Sequence, residues 1–420
     1  MITRIQALNY RCLRYIDQRL QPFQLLVGPN ASGKTTFLDV VNLLGDIVSN
    51  GVEAAVQNRV STPRDLTWQR GGDGFEVAIE AEIAGAQGAA LDGLAFSHIR
   101  YEIAVDMDVG GEGVGISNER VWLKQDGEDT DVQRDFFPQM RVPPKTIMLP
   151  KRQARTNQKL IVSKVVGGND NYSPEPAKGY SPSFKQTAKK SALGNLPADV
   201  DSFPASTWLK EFLTQGIQQF VLNSQLIRKA SPPGQIRSLK PDGSNIPWVV
   251  EHITQTAPDM LNEWIRHLQT ALPDLRAIRT VERADDKHRY LMLKYSSGLE
   301  VPSWLASDGT LRLLALTLPA YLADFRGAYL IEEPENGIHP KAVETVFQSL
   351  SSVYDAQVLL ATHSPVLLSL IKPRNAGQVL CFAKTEDGAT DIVSGDKHPG
   401  LSAWQGAPNL SVLFAGGVLG

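Results

Sequence analysis

Phe23-Gln-Leu-Leu-Val27 is an apolar run of the length of one buried strand, and it leads straight into a glycine-rich turn. Residues 2–8 read as another strand. Beyond the turn, Phe37, Leu38, Val41, Leu44 and Val48 recur at helical spacing and predict a helix over 34–50. The period then changes to two. Residues 75–83 and 99–107 alternate, and 119–124 is a shorter extended run, which together predict a β lobe between 70 and 150 of antiparallel strands with one solvated face. Residues 151–204 are rich in Lys, Ser, Pro, Gly and Asn and predict long loops or a mobile segment. Helices are expected over 205–228, with Trp208, Leu209, Phe212, Ile217 and Phe220, and over 250–272, with Ile253, Met260, Leu261, Trp264, Ile265 and Leu268. From 289 onward strands (289–295, 299–301, 328–332, 357–361, 378–384) alternate with helices (309–325, 340–353), the second opening at Pro340. The pattern divides the chain into an N-terminal lobe (1–150), a basic, partly flexible and helical insertion (151–280) and a C-terminal lobe (281–420). The closing 410–420 stretch reads as an added strand or an interface element.

Composition narrows the class. Of 420 residues 42% are apolar and 21% charged, which suits a folded chain with a sizeable core. Cys12 and Cys381 stand at opposite ends, so neither a disulfide scaffold nor a cysteine zinc site is expected. No run of 18 apolar residues is present and the N-terminus has no signal-type stretch, so the expectation is a cytoplasmic protein with no membrane span. The net charge of −3 argues against a polybasic protein, but residues 141–190 depart from it. There Arg141, Lys145, Lys151, Arg152, Arg155, Lys159, Lys164, Lys178, Lys185, Lys189 and Lys190 face only Asp170 and Glu175, a net of +9. Such a segment suits a phosphate backbone; a solvated mobile insertion and an acidic protein partner are the other two readings.

Candidate chemistry lies at the ends of the apolar strands. Gly28-Pro29-Asn30-Ala31-Ser32-Gly33-Lys34-Thr35, followed by Thr36, fits the phosphate-loop pattern G-x-x-x-x-G-K-[ST], with a strand before it and a helix after it. Glycines let the backbone curl so that its N–H groups point at successive phosphates, and the helix N-terminus adds positive potential. Lys34 can reach the terminal phosphates and the Thr35 hydroxyl can hold Mg²⁺. Tyr329-Leu-Ile-Glu-Glu-Pro-Glu335 ends a strand in adjacent carboxylates: Glu332 suits a magnesium shell, Glu333 an attacking water, and Glu335 a loop contact. His363 in Leu359-Leu-Ala-Thr-His-Ser-Pro365 follows the next strand and could bond a γ-phosphate. Ser307, Asp308 and Gly309 open an amphipathic helix, either as a plain N-cap or as a second anion-binding nest.

Taken in order, GPNASGKTT, LASDGTLRLLAL, AYLIEEPENGIHP and LLATHSP resemble the motifs of ABC-type ATPases. The resemblance is strongest to the branch with RecF, the SMC heads and the overcoming-lysogenization-defect (OLD) ATPases, and within it to stand-alone "AAA domain, putative ABC-type ATPase" proteins of prokaryotic defence islands. It covers about 1–80 and 285–375 and says little about 150–280. The fold it implies is α/β: an ABC-type P-loop ATPase head with an antiparallel β lobe and a mainly helical insertion. The activity it implies is hydrolysis of ATP with Mg²⁺. By the same resemblance, 28–36 is the Walker A loop, Glu332 the Walker B acid, Glu333 the catalytic glutamate and His363 the switch histidine. Ser307, Asp308 and Gly309 correspond to the core of the signature motif, departing from LSGGQ at Asp308 and Thr310; Arg312 matches a basic position of the branch. Residues 335–340 resemble the E-x-x-L-H-P continuation, with Ile338 for Leu, and would form a dimer-facing loop. A glutamine loop is expected at Gln69, with Gln57 as the alternative.

In this class the signature closes over ATP held by a second chain, so the resemblance implies a homodimer or higher homo-oligomer with ATP sandwiched between heads. The sequence runs only about 55 residues past His363 and has no cluster resembling a nuclease site, so any nuclease is expected on a separate effector subunit. The leading expectation is an ATPase sensor or scaffold of an antiviral complex. An ATP-gated DNA repair clamp is the alternative. A transporter ATPase is disfavoured by the signature, and a non-hydrolysing scaffold by Glu333.

Overall fold

The central six-stranded sheet is built on the apolar runs. Its order is β10 (Ile217–Phe220), β14 (Ala328–Glu332), β15 (Gln357–Thr362), β3 (Phe23–Val27), β16 (Val379–Lys384) and β17 (Thr390–Ser394). All neighbours are parallel except the β16–β17 pair. A computed structural model supplies this architecture and describes residues 1–83, 96–125, 134–151, 157–176, 179–322, 325–401 and 410–417. Both faces of the sheet are covered, so β3 and β15 are buried at every position, which explains why they read as unbroken apolar runs rather than alternations. Successive residues feed two different cores. Leu26, Leu330 and Leu359 pack with the long helix α1 (Lys34–Asn50) and the antiparallel sheet. Leu25, Ile331 and Leu360 pack with the helices from the second half of the chain.

The antiparallel sheet has eight strands in the order β2 (Leu13–Arg19), β1 (Ile2–Tyr10), β4 (Gly74–Glu82), β5 (His98–Asp106), β6 (Gly115–Lys124), β7 (Gln158–Val165), β8 (Asp170–Tyr172) and β9 (Ser183–Phe184). Three expectations change here. The sheet does not stop at 150: β7 to β9 continue it through the stretch read as loops. The polar face is not solvated either. Arg100, 2% exposed, pairs with Glu80 at 3.0 Å and Glu102 at 2.7 Å, and Lys124 meets Glu80 at 2.9 Å. The segment 145–150 lies over these charges, with the Arg100 guanidinium donating to the Ile147 carbonyl (2.9 Å) and the Leu149 N–H to Glu102 (3.0 Å). Alternating polar residues therefore mark a buried ion network, stable because each charge has a partner. The basic segment, finally, is not one free patch. Lys164 is buried against Asp170 (3.0 Å), Lys159 donates to the carbonyls of Glu175 and Pro176, Lys189 meets Glu53 (3.1 Å), and Arg141 lies 3.6 Å from Asp391. Lys145, Lys151, Lys185 and Lys190 are exposed, and Arg152, Arg155 and Lys178 lie outside the described residues.

The expected helices divide at glycine and proline. The 205–228 helix is α3 (Pro204–Gln215), then β10, then a short α4 (Ser224–Ile227). The break falls at Gly216, whose carbonyl accepts the Ala328 N–H at 2.8 Å, so the chain joins the central sheet instead of continuing as helix. The 250–272 helix is α5 (Ile246–Thr256) and α6 (Pro258–Leu268). Pro258 forces Ala257 out of helical geometry, to φ −147°. A third small sheet, β11 (Leu275–Glu282), β12 (Arg289–Tyr295) and β13 (Glu300–Pro302), precedes α7 (Asp308–Thr317). That helix tightens into a 3₁₀ turn at Leu318–Tyr321 around Pro319. After β14 come α8 (Pro340–Ser351) and α9 (Pro365–Ser369). The tail is not an added strand: α10 (Leu410–Ala415) inserts Leu410 into the second core. Among the described residues no helix is long and apolar enough to cross a membrane.

His398 is buried beside β17. Its ring packs edge-on to Phe137 (5.0 Å between centroids), its Nδ1 accepts from the Gly400 N–H (3.0 Å) and its Nε2 has no partner. Burial, reinforced by the Arg134 charge, lowers its pKa from 6.5 to about 4. The unfolded chain thus binds a proton that the folded chain refuses between those values, and stability falls as pH drops through that window. In His398→Asn the loss of melting temperature between pH 6.5 and 4 should be smaller than in the native chain, as thermal unfolding scans would record.

Candidate active site

The glycine turn after β3 is held from behind by β16 and β17. Gly28 has φ +154°, and a Cβ there would stand 2.3 Å from the Phe382 carbonyl oxygen. Gly33, at φ +103°, would place a Cβ 2.2 Å from Thr390 Oγ1. That hydroxyl donates to the Ser32 carbonyl at 2.9 Å, and the Thr390 N–H reaches the Cys12 carbonyl at 2.9 Å. Only glycine fits both positions, and the β17 threonine acts as the strut of the loop. Pro29, Asn30 and Ala31 are exposed at the tip, Gly28, Ser32 and Gly33 are buried, and Thr36 lies in the first turn of α1. Among the described residues no side chain caps α1, so its first N–H groups are free for an anion. Lys34 Nζ folds back on the loop, donating to the carbonyls of Gly28 (2.7 Å) and Pro29 (2.9 Å). Burial lowers its pKa, and the charges of Glu333, Glu332 and Glu335 oppose that shift.

The carboxylates stand at the same sheet edge. The Thr35 hydroxyl donates to Glu332 across 297 positions of sequence. Glu333 leaves the strand in left-handed geometry (φ +48°), its N–H bonded to the Ala361 carbonyl at 2.8 Å and its carboxylate held by Asn336 Nδ2 at 2.5 Å. A left-handed conformation in a side-chain-bearing residue costs about 1–3 kcal/mol and aims the group away from the strand. His363 Nδ1 lies 3.3 Å from Glu333 and 3.9 Å from Glu335. Glu335 in turn accepts from the Thr362 hydroxyl (2.7 Å) and the His363 N–H (3.4 Å). Oxygen donors at Thr35 and Glu332, the free start of α1 and the unpartnered buried Ser32 hydroxyl fit a magnesium nucleotide.

Ser307 caps α7, its Oγ accepting from the Thr310 N–H at 3.1 Å. Asp308 is paired with Arg228, and Gly309 abuts the loop after β14, where a Cβ would stand 3.1 Å from the Gly337 oxygen. Arg312 donates to the Asn336 carbonyl at 3.2 Å and Ile338 is buried beneath. Gln69 does not reach the carboxylates: it is exposed, at φ +51°, with its amide 3.5 Å from the Asp387 carbonyl. Gln57 ends the short helix α2 (Val52–Gln57), also exposed. The glutamine beside Glu332 is Gln219 on β10, with Nε2 3.4 Å from Glu332 and Oε1 accepting from Asn42 at 3.0 Å. The pattern IQQF hid it inside a supposed helix; a break at Gly216 was the available signal. Thr390 had no signal in the sequence.

A phosphate loop, carboxylates on the adjacent strand and a histidine on the next, mounted on a parallel sheet with an antiparallel partner, define an ABC-type ATPase head. The chain belongs to the family described as "AAA domain, putative AbiEii toxin, Type IV TA system", which matches residues 23–369. Its fold is that of solved SMC heads. One is the SmcHead bound to the C-winged helix domain of ScpA, with TM-score 0.53, 13% identity and coverage of 94% of this chain and 97% of that one. Another is the Smc head domain with an extended coiled coil bound to the C-terminal domain of ScpA derived from Pyrococcus furiosus, with TM-score 0.51, 12% identity, 94% and 96% coverage. A curated relative, the OLD nuclease of Thermus scotoductus, is 50% identical over 48 residues. That match spans 11% of this chain and 9% of the nuclease.

The geometry separates the two glutamines. If Glu332 holds a metal, Gln219→Leu should reduce steady-state ATP turnover by about tenfold or more, because Gln219 orients that carboxylate. Gln69→Leu should leave turnover within about twofold, since its amide faces the Asp387 carbonyl and, among the described residues, bonds none of the site carboxylates. A phosphate-release assay on both variants checks this.

Proposed function

We propose that this chain hydrolyses ATP with magnesium and that ATP draws two copies together, as the ATPase sensor or scaffold of an antiviral complex acting on a separate effector. The observation that carries the hydrolytic part is the convergence of Thr35, Glu332, Glu333 and His363 at one sheet edge. Lys34 would give up its carbonyl partners for phosphate oxygens. Thr35 and Glu332 would hold the metal, which supplies charge neutralisation on the phosphates. Glu333 would orient a water and accept its proton as the water oxygen bonds to the γ-phosphorus and the bond to the leaving ADP oxygen breaks. His363 would donate to the γ-phosphate, its place fixed by Glu335 and Thr362.

Support for pairing comes from the exposed start of α7. Trp304 and Leu305, 43% and 70% exposed, lie three and two positions before Ser307, and the loop of Asn336 and Gly337 meets the same helix at Arg312 and Gly309. An apolar pair beside a polar cap suits an interface between copies. The defence role rests on the family and on the short OLD nuclease match. Internal pairing of Lys159, Lys164 and Lys189 favours it over a DNA clamp by reducing the charge free for a phosphate backbone.

Glu333→Gln should lower turnover at least about a hundredfold while ATP binding persists, and its ATP-bound mass in light scattering should be that of a pair. Turnover that ignores duplex DNA supports a protein trigger. Strong stimulation by DNA that fades with added salt would favour the clamp instead. Equal turnover in Glu333→Gln and the native chain would overturn the assignment.

A further inference from the structure

The start of α7 carries a charge that conflicts with the role proposed for it. Asp308 is the first residue of the helix and its side chain is 55% exposed. A carboxylate there suits the helix dipole, yet it would repel a triphosphate brought to Ser307 and Gly309 by a second copy. Arg228 removes the conflict. Its guanidinium, 24% exposed, donates to Asp308 Oδ1 from two nitrogens at 2.7 and 3.1 Å, and from the third to the Trp304 carbonyl at 3.2 Å. The backbone is tied as well, since the Ser303 hydroxyl donates to the Arg228 carbonyl at 3.0 Å. The arginine is held in place from below: Ile227 is fully buried, and Asn223 caps the short α4 through the N–H groups of Gln225 and Leu226. A planar fork shared between a carboxylate and a carbonyl fixes the segment 304–308 as a lysine would not.

We propose that Arg228 is a positioning residue of the composite ATP site: it neutralises Asp308 and fixes the start of α7 so that a second copy's triphosphate can dock there. This rests on the pairing of two copies proposed above. Arg228 lies nine positions beyond Gln219, which stands at the chain's own Glu332. The same segment therefore serves the chain's own nucleotide at one end and the face offered to the partner at the other.

The test compares the native chain, Arg228→Gln, Asp308→Asn and the double variant by light scattering across a concentration series, with magnesium and the imido analogue of ATP. Arg228→Gln, which leaves Asp308 unpaired, should raise the concentration for half-maximal pairing by about tenfold. Asp308→Asn should change it by less than about threefold, and adding Asp308→Asn to Arg228→Gln should restore pairing to within about threefold of native. Binding of labelled ATP at dilute protein should be unchanged in every variant, because the phosphate loop is untouched. A double variant as impaired as Arg228→Gln would overturn charge compensation, and native-like pairing by Arg228→Gln would overturn the role altogether. If the native chain itself stays monomeric, the pairing reading falls first and takes this inference with it.

Discussion

The site depends on the parallel register of three strands. Glu332 pairs with Ala361, Ala361 with Leu26 and Thr362 with Val27, so β15 and β3 end level with each other and β14 one position short of them. The residues that follow each strand are then Glu333, His363 and Gly28. A parallel sheet has no local turn to set this register; it is set by apolar side chains alternating between two cores, and a slip of one residue would exchange the faces. Packing on both sides therefore fixes the distances at the edge, while the polar groups there refine the aim. The left-handed Glu333 shows the division of labour: the strand delivers it, and Asn336 and the Ala361 carbonyl hold its strained backbone.

The second constraint comes from behind the loop. Gly28 and Gly33 lie so close to Phe382 and Thr390 that the curve of the phosphate loop is moulded on β16 and β17. β17 also carries Asp391, which is buried and paired with Arg134 at 2.6 Å. The C-terminal strands are thus part of the candidate site without contributing a recognisable motif. This is why Thr390 was illegible in the sequence: a hydroxyl that supports a loop through one carbonyl has no spacing rule to betray it.

What was legible follows the same logic. The strands β3, β14 and β15 and the helix α1 were readable because burial on two faces, or on one stripe, writes a period into the residues. The chemistry at their ends was readable because phosphate binding demands glycines at fixed spacing. The long sheet beyond residue 150 was not readable, because β7 to β9 are rich in Lys, Ser and Asn that pair internally, as Lys164 does with Asp170. Periodicity reports burial of apolar groups and is blind to burial of paired charges. The same blindness made the lysines of 141–190 look like one patch, and it hid Gln219 in a strand whose boundary is set by Gly216 rather than by its own composition.

Charge pairing also decides how the signature-like segment differs from a simple helix cap. Ser307 already satisfies the Thr310 N–H at the start of α7, and the carboxylate of Asp308 would strengthen the cap further. If stability of α7 were the only demand, Asp308 would need no partner, for an exposed carboxylate at a helix start is favourable by itself. Yet Arg228 spends its whole fork on Asp308 and Trp304, from a position buttressed by a buried isoleucine and a capped turn. An exposed ion pair contributes little to folding, at most about 1 kcal/mol. The build makes more sense as control of local potential: a helix start with a neutralised neighbour is one that could meet a second copy's phosphates under the pairing proposed above.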